Sequence, residues 1–112
     1  MGRLQDIFYA SRFMTALAEL EGAIVHQDKS DEDAMFDAAK QSKRQGMNPA
    51  EAAVSYFVDQ AERGLAADPV RWRTMAEQAY RRVQIWLAQK KVGPHYADLL
   101  FEFLRDTKPD EA

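Results

Sequence analysis

The chain has 112 residues, no cysteine and a formal net charge of −3. That length predicts one domain, and the missing cysteines exclude disulfides, thiolate metal sites and cysteine nucleophiles. Overall acidity argues against a free-standing general DNA binder, because long-range repulsion opposes encounter.

No window approaches the roughly 18 consecutive apolar residues of a membrane span. Met1–Asp6 lacks the charged-then-apolar layout of a secretory signal, and Ile7 stands where a myristoylation signal needs Ser or Thr. A cytoplasmic protein without a membrane role is expected.

The first helix is expected from about Leu4 to Val25. Two apolar stripes run along it, Leu4, Ile7, Phe8, Met14, Ala18 and Val25 on one side and Tyr9, Phe13, Leu17, Leu20 and Ile24 on roughly the other. A narrow polar seam of Gln5, Arg12, Glu19 and His26 lies between them. A helix that is apolar nearly all round needs cover on both sides. Either it is the central helix of a bundle, or one stripe meets another chain. The second stripe is the candidate protein interface.

Ser30 is the expected N-cap of a second helix, with Asp31, Glu32 and Asp33 in its first turn and Lys40, Lys43 and Arg44 near its end, an order that complements the helix dipole. Gly46 supplies a left-handed exit. This helix is poor in apolar residues (Met35, Phe36, Ala38, Ala39) and is expected at the rim.

Asn48-Pro49-Ala50-Glu51 opens a third helix, with Asn48 as cap, Pro49 at the first helical position and Glu51 reaching back. Gly64 is its expected stop. Asp68-Pro69 repeats the device for a fourth helix reaching Lys91 or Val92, with Trp72, Met75, Ala76, Ala79, Tyr80, Val83, Trp86 and Leu87 on one stripe. Gly93-Pro94 breaks it. A fifth helix covers about His95 to Arg105, and residues 107–112 are expected to form a flexible tail beyond a bundle domain spanning 1–106. No alternating strand pattern occurs. The expected fold class is all-α, a single compact bundle of about five helices.

Charge is segregated along the chain. Pro69–Val92 carries Arg71, Arg73, Arg81, Arg82, Lys90 and Lys91 against one acid, Glu77, while the segments on either side are acidic. Arg71, Gln78, Arg82 and Gln89 fall at nearly one angle around the fourth helix, with Arg73, Arg81 and Lys91 flanking them. Arg71 and Arg82 are then about 16 Å apart along the axis. Such a row suits phosphate oxygens or the carboxylates of an acidic partner, because guanidinium groups bind both in a bidentate fork. The bland alternative is that these bases neutralise the acidic helices of the same molecule.

Other chemistry has little support. A helix-turn-helix reading of the third and fourth helices is weakened by the length of the second and by Trp72 and Met75 in its first turns, which leaves Arg71, Arg73 and Thr74 to contact bases. Asp28–Asp33 lacks the glycine a calcium loop needs at its sixth position. His26 and His95 form no metal-ligand pair. No serine lies in a nucleophile elbow, no glycine-rich phosphate loop exists, and Glu19 and Glu21 do not share a helical face. The expected function is non-catalytic, with no cofactor and no small-molecule substrate: a small helical interaction or assembly subunit of the adaptor or inhibitor type, working through a protein partner or self-association. The alternative is a small subunit of a nucleoprotein complex that lies along a nucleic-acid backbone.

Overall fold

The computed structural model describes residues 2–21 and 29–107. Five helices follow one another: α1 (Gly2–Glu21), α2 (Lys29–Arg44), α3 (Pro49–Gly64), α4 (Pro69–Ala88) and α5 (Pro94–Asp106). Among the described residues there is no strand. The protein is an all-α bundle. Ile24, Val25, His26 and residues 108–112 lie outside the described residues.

Local chemistry sets most of the helix ends. Asn48 Oδ1 accepts from the Glu51 amide at 2.8 Å and Glu51 Oε1 accepts from the Asn48 amide at 3.3 Å, a reciprocal capping box. Asp68 Oδ1 accepts from the Arg71 amide at 3.2 Å and opens α4 ahead of Pro69. The α2 helix spans Lys29–Arg44, which places Ser30 within it.

Two helices close with the same paired backbone bonds. After α2 the Met47 amide donates to Ser42 O and the Gly46 amide to Lys43 O, with Gly46 at φ +82°. After α4 the Lys91 amide donates to Trp86 O and the Lys90 amide to Leu87 O, with Lys90 at φ 61°. Both are Schellman closures, which need a left-handed residue just past the helix and favour glycine there. A lysine holds that position in the second. The α4 helix therefore stops before Lys91, at Ala88, and Gly93 becomes the N-cap position of α5.

The α3 helix, not α1, is the hub. It packs against all four other helices, whereas α1 touches α2, α3 and α4. The physical reason is side-chain size. Ala52, Ala53 and Ala61 are completely buried in α3, so neighbouring helices approach it closely on several sides, while Val54 and Phe57 fill the remaining space. Phe57 also lies 6.1 Å, centroid to centroid, from Trp72. The α2 helix contributes Met35 and Ala39 and packs on α1 and α3 alone, at the rim.

The two stripes of α1 have opposite fates. Phe13, Leu17 and Leu20 are buried in the bundle, with the Phe13 ring edge-on to Tyr56. Half-buried Tyr9 donates its hydroxyl proton to Met47 O at 2.7 Å. These residues are occupied within their own chain, which corrects their assignment as a surface for a partner. The first stripe is uncovered at its N-terminal end, where Leu4, Phe8 and Ile7 are 66, 62 and 49 % exposed, while Ala18 is half-buried and Met14 packs against the core. Core demand explains the choice, since Phe13, Leu17 and Leu20 lie about one helical turn apart and form an unbroken seam against α3.

Polar ties fix the helices in position. Lys43 Nζ bonds Asp6 Oδ1 at 2.7 Å and joins α2 to α1. That contact holds the Asp6 carboxyl below its ordinary range. The capping box of α3 also grips the α4–α5 turn: Asn48 Nδ2 donates to Lys91 O at 2.9 Å, and Glu51 Oε2 accepts from the Gly93 amide at 3.0 Å.

Candidate functional site

The core supplies no reactive group. Every buried side chain among the described residues is apolar, and no His, Asp and Glu cluster suited to a metal ion occurs among them. Among the described residues no helix is long and apolar enough to cross a membrane. Chemistry for recognition is therefore confined to the surface, where the basic segment is concentrated.

The bases of α4 divide into two groups. Arg73 turns inward: its Nη1 donates to Leu104 O at 2.8 Å and to Thr107 Oγ1 at 3.2 Å, and its Nε lies 3.6 Å from Glu77 Oε1. It satisfies the C-terminal carbonyl end of α5, where a cation is favoured by the helix dipole. Its inclusion in a docking surface is thereby corrected. Thr107, expected to begin the tail, also donates to Phe103 O at 2.6 Å and is held with it.

Arg71, Gln78, Arg81, Arg82, Gln89, Lys90 and Lys91 are exposed, and none of their side chains forms an ion pair or hydrogen bond among the described residues. Arg71 has one electrostatic neighbour, Glu21, at the end of α1. Burial raises the Glu21 pKa and Arg71 acts against that rise. The acids of α3 and α5 pair elsewhere or not at all: Asp59 meets Arg63 and Asp106 meets Arg105. Carboxylates of α3 and α5 thus leave the positive row unneutralised, and Glu21 of α1 faces it only at Arg71 among the described residues.

One end of this row opens into a groove of about 480 Å³ between α1, the start of α3 and the end of α4. Ser11, Arg12, Thr15, Ala16 and Glu19 form one wall, Asn48, Pro49 and Ala50 a second, and Trp86, Lys90 and Lys91 a third. Trp86 is nearly fully buried, so it closes the bottom of the groove and offers no free face for stacking. Arg12 and Glu19 belong to the polar seam visible in the sequence. Helical phase does not give the groove, because Lys90 and Lys91 reach it from the turn beyond the end of α4. Since Glu21 neighbours Arg71 while Arg12 shares the groove with Lys90, α1 and α4 run antiparallel.

The exposed Leu4, Ile7 and Phe8 continue the Arg12 and Glu19 side of α1 toward its N-terminus. Leu4, Phe8, Arg12 (or Ser11), Thr15 and Glu19 succeed one another by three or four residues and share one face. Ile85, 48 % exposed, stands on the outer side of α4 between Arg81, Arg82 and Gln89. Comparison with protein-family models, with curated proteins and with solved structures finds no match.

Proposed function

We propose that this chain is a non-catalytic helical subunit that works by docking to another macromolecule, through the exposed face of α4 and the adjoining outer face of α1. One observation carries the reading: Arg71, Arg81, Arg82, Lys90 and Lys91 stand exposed and unpaired among the described residues of a chain whose net charge is −3. Unneutralised cations clustered on one side of an acidic protein create a local field that orients an anionic partner. The exposed apolar residues Leu4, Ile7 and Phe8 add an uncharged contact area, which favours a protein partner, or a second copy, over a purely ionic one. The cysteine-free composition suits a reducing compartment such as the cytoplasm.

A second reading rests on the common edge of Arg71, Gln78, Arg82 and Gln89: a nucleic-acid backbone laid along α4. Salt separates the two. Backbone binding through several arginines loses affinity steeply as salt rises, roughly in proportion to the phosphates neutralised. A mixed apolar and ionic protein interface loses much less.

The test is a binding measurement at two salt concentrations with the triple variant Arg71→Ala, Arg81→Ala, Arg82→Ala beside Arg73→Ala. The triple variant is expected to keep its fold, since exposed substitutions usually change stability by under about 0.5 kcal/mol each, and to lose partner binding. Arg73→Ala is expected to lose stability and keep binding. A triple variant that binds every partner as well as the parent removes the docking role of α4.

A further inference from the structure

The groove between α1 and α4 says more about the partner than the net charge does. Its walls carry three cations, Arg12, Lys90 and Lys91, and one acid, Glu19, and none of these four side chains has a hydrogen-bond or ion-pair partner among the described residues. Ser11 and Thr15 also line it, the Thr15 hydroxyl donating to Ser11 O at 3.0 Å, together with the buried Ala16 and Trp86. Along the same face of α1, Phe8 and Leu4 extend the surface as an apolar strip. From Leu4 to Glu19 this face is about 22 Å long, or four helical turns. A phosphate backbone would pair with the cations but leave the apolar half uncovered. An acidic segment with apolar side chains complements both halves.

The backbone adds an independent observation. Lys90 sits at φ 61°, where a glycine would be the more stable choice. A residue held in an unfavourable conformation beside a cleft points to a use for its side chain, and Lys90 is one of the residues that line this cleft.

The geometry points to the α1–α4 groove as the docking site for an amphipathic peptide segment of a partner protein, acidic at the end that meets Arg12, Lys90 and Lys91 and apolar at the end that covers Phe8 and Leu4. This rests on the docking reading above and names the partner's chemistry. Carboxylates of the segment neutralise cations that have no partner among the described residues, and its apolar side chains remove Leu4, Ile7 and Phe8 from water.

The experiment selects binders from a displayed library of random peptides about four helical turns long, using the full chain as bait. Enriched peptides are expected to carry several Asp or Glu and two or more large apolar residues at helical spacing. Synthetic versions with Gln for Glu are expected to bind at least about tenfold more weakly. Arg12→Gln with Lys91→Gln is expected to cost a similar factor, and so is Phe8→Ala. Lys90→Gly supplies the decisive variant, because it is expected to bind more weakly while folding more stably, so weaker binding there cannot come from a damaged fold.

Neutral or basic binders, or binding indifferent to the groove variants, overturn the proposal. So does a single-stranded oligonucleotide whose binding falls with Arg12→Gln and Lys91→Gln and which displaces the peptides. A molar mass of two chains, reduced to one by Phe8→Glu, overturns it in favour of a second copy. Peptides lost with Arg71→Ala and Arg82→Ala but not with the groove variants move the site and leave the docking role standing. No enrichment at all removes both.

Discussion

Replacing Gly64 with alanine pits helix propensity against packing. Alanine in place of glycine inside a helix gains about 0.5–1 kcal/mol, and Gly64 ends α3 with no positive φ to forbid a side chain. By local reasoning Gly64→Ala is neutral or stabilising. The tertiary structure says otherwise. A Cβ at Gly64 would lie 2.6 Å from Trp72 Cδ1 and closer still to its Nε1. The ring has little room to retreat, because it packs against Phe57 across the α3–α4 junction. Overpacking of this kind costs about 1–3 kcal/mol. Less the propensity gain, a net loss of about 1–2 kcal/mol is expected, or a melting temperature lower by about 5 °C or more. Thermal unfolding followed by circular dichroism measures it. Trp72 fluorescence, read in a Trp86→Phe background, reports the displaced ring. In a Trp72→Leu background the same Gly64→Ala change is expected to become neutral or stabilising, with a coupling of about 1 kcal/mol or more. Gly64→Ala at parental stability in the parental background would refute the packing argument and return Gly64 to the role of a simple helix stop.

The two Schellman closures give opposite signs: Gly46→Ala is expected to lose, and Lys90→Gly to gain, about 1 kcal/mol in urea unfolding, since Gly46 and Lys90 both occupy left-handed positions. Glu51→Ala is expected to cost about 2 kcal/mol, more than an ordinary cap, because it removes the capping-box bond and also the acceptor of the Gly93 amide; equilibrium unfolding of Glu51→Ala beside Glu62→Ala checks it. Burial, with Glu51 and Tyr96 nearby, pushes the Tyr9 hydroxyl up to about 12 from 10.0. The native state therefore holds this proton more tightly than the unfolded chain. The associated stability is complete below pH 10 and is lost as pH rises toward 12. Tyr9→Phe is expected to lower stability at neutral pH, through the missing bond to Met47 O, and to flatten this alkaline decline in a pH series of unfolding curves.

Much of the architecture was legible residue by residue. Asn48-Pro49-Ala50-Glu51 and Asp68-Pro69 announce helix starts because caps act within one turn, and Gly46 announces an exit because only a few residues tolerate its φ. The buried stripe of α4 follows from spacing: Ala76, Ala79, Val83 and Trp86 are all buried. The candidate site was less legible. Arg71, Arg81 and Arg82 lie on the exposed face that helical phase gives them, but Arg73 sits close enough to the end of α5 to turn inward, and no periodicity reveals which helix end will lie beside it. Gly64 reads as punctuation, yet its constraint is an indole ring eight residues away.

Capping, punctuation and the phase of each helix are interactions within about four residues, so the amino-acid sequence by itself determined the five helices of the described residues and which residues share each face. It also determined that positive charge gathers on α4. Only tertiary packing decided which stripe of α1 went inside, that alanine-rich α3 became the hub, and that Arg12 came to face Lys90 and Lys91 across a groove. Those outcomes depend on competition between faces of similar apolarity for one limited core, and that competition is settled when the helices meet.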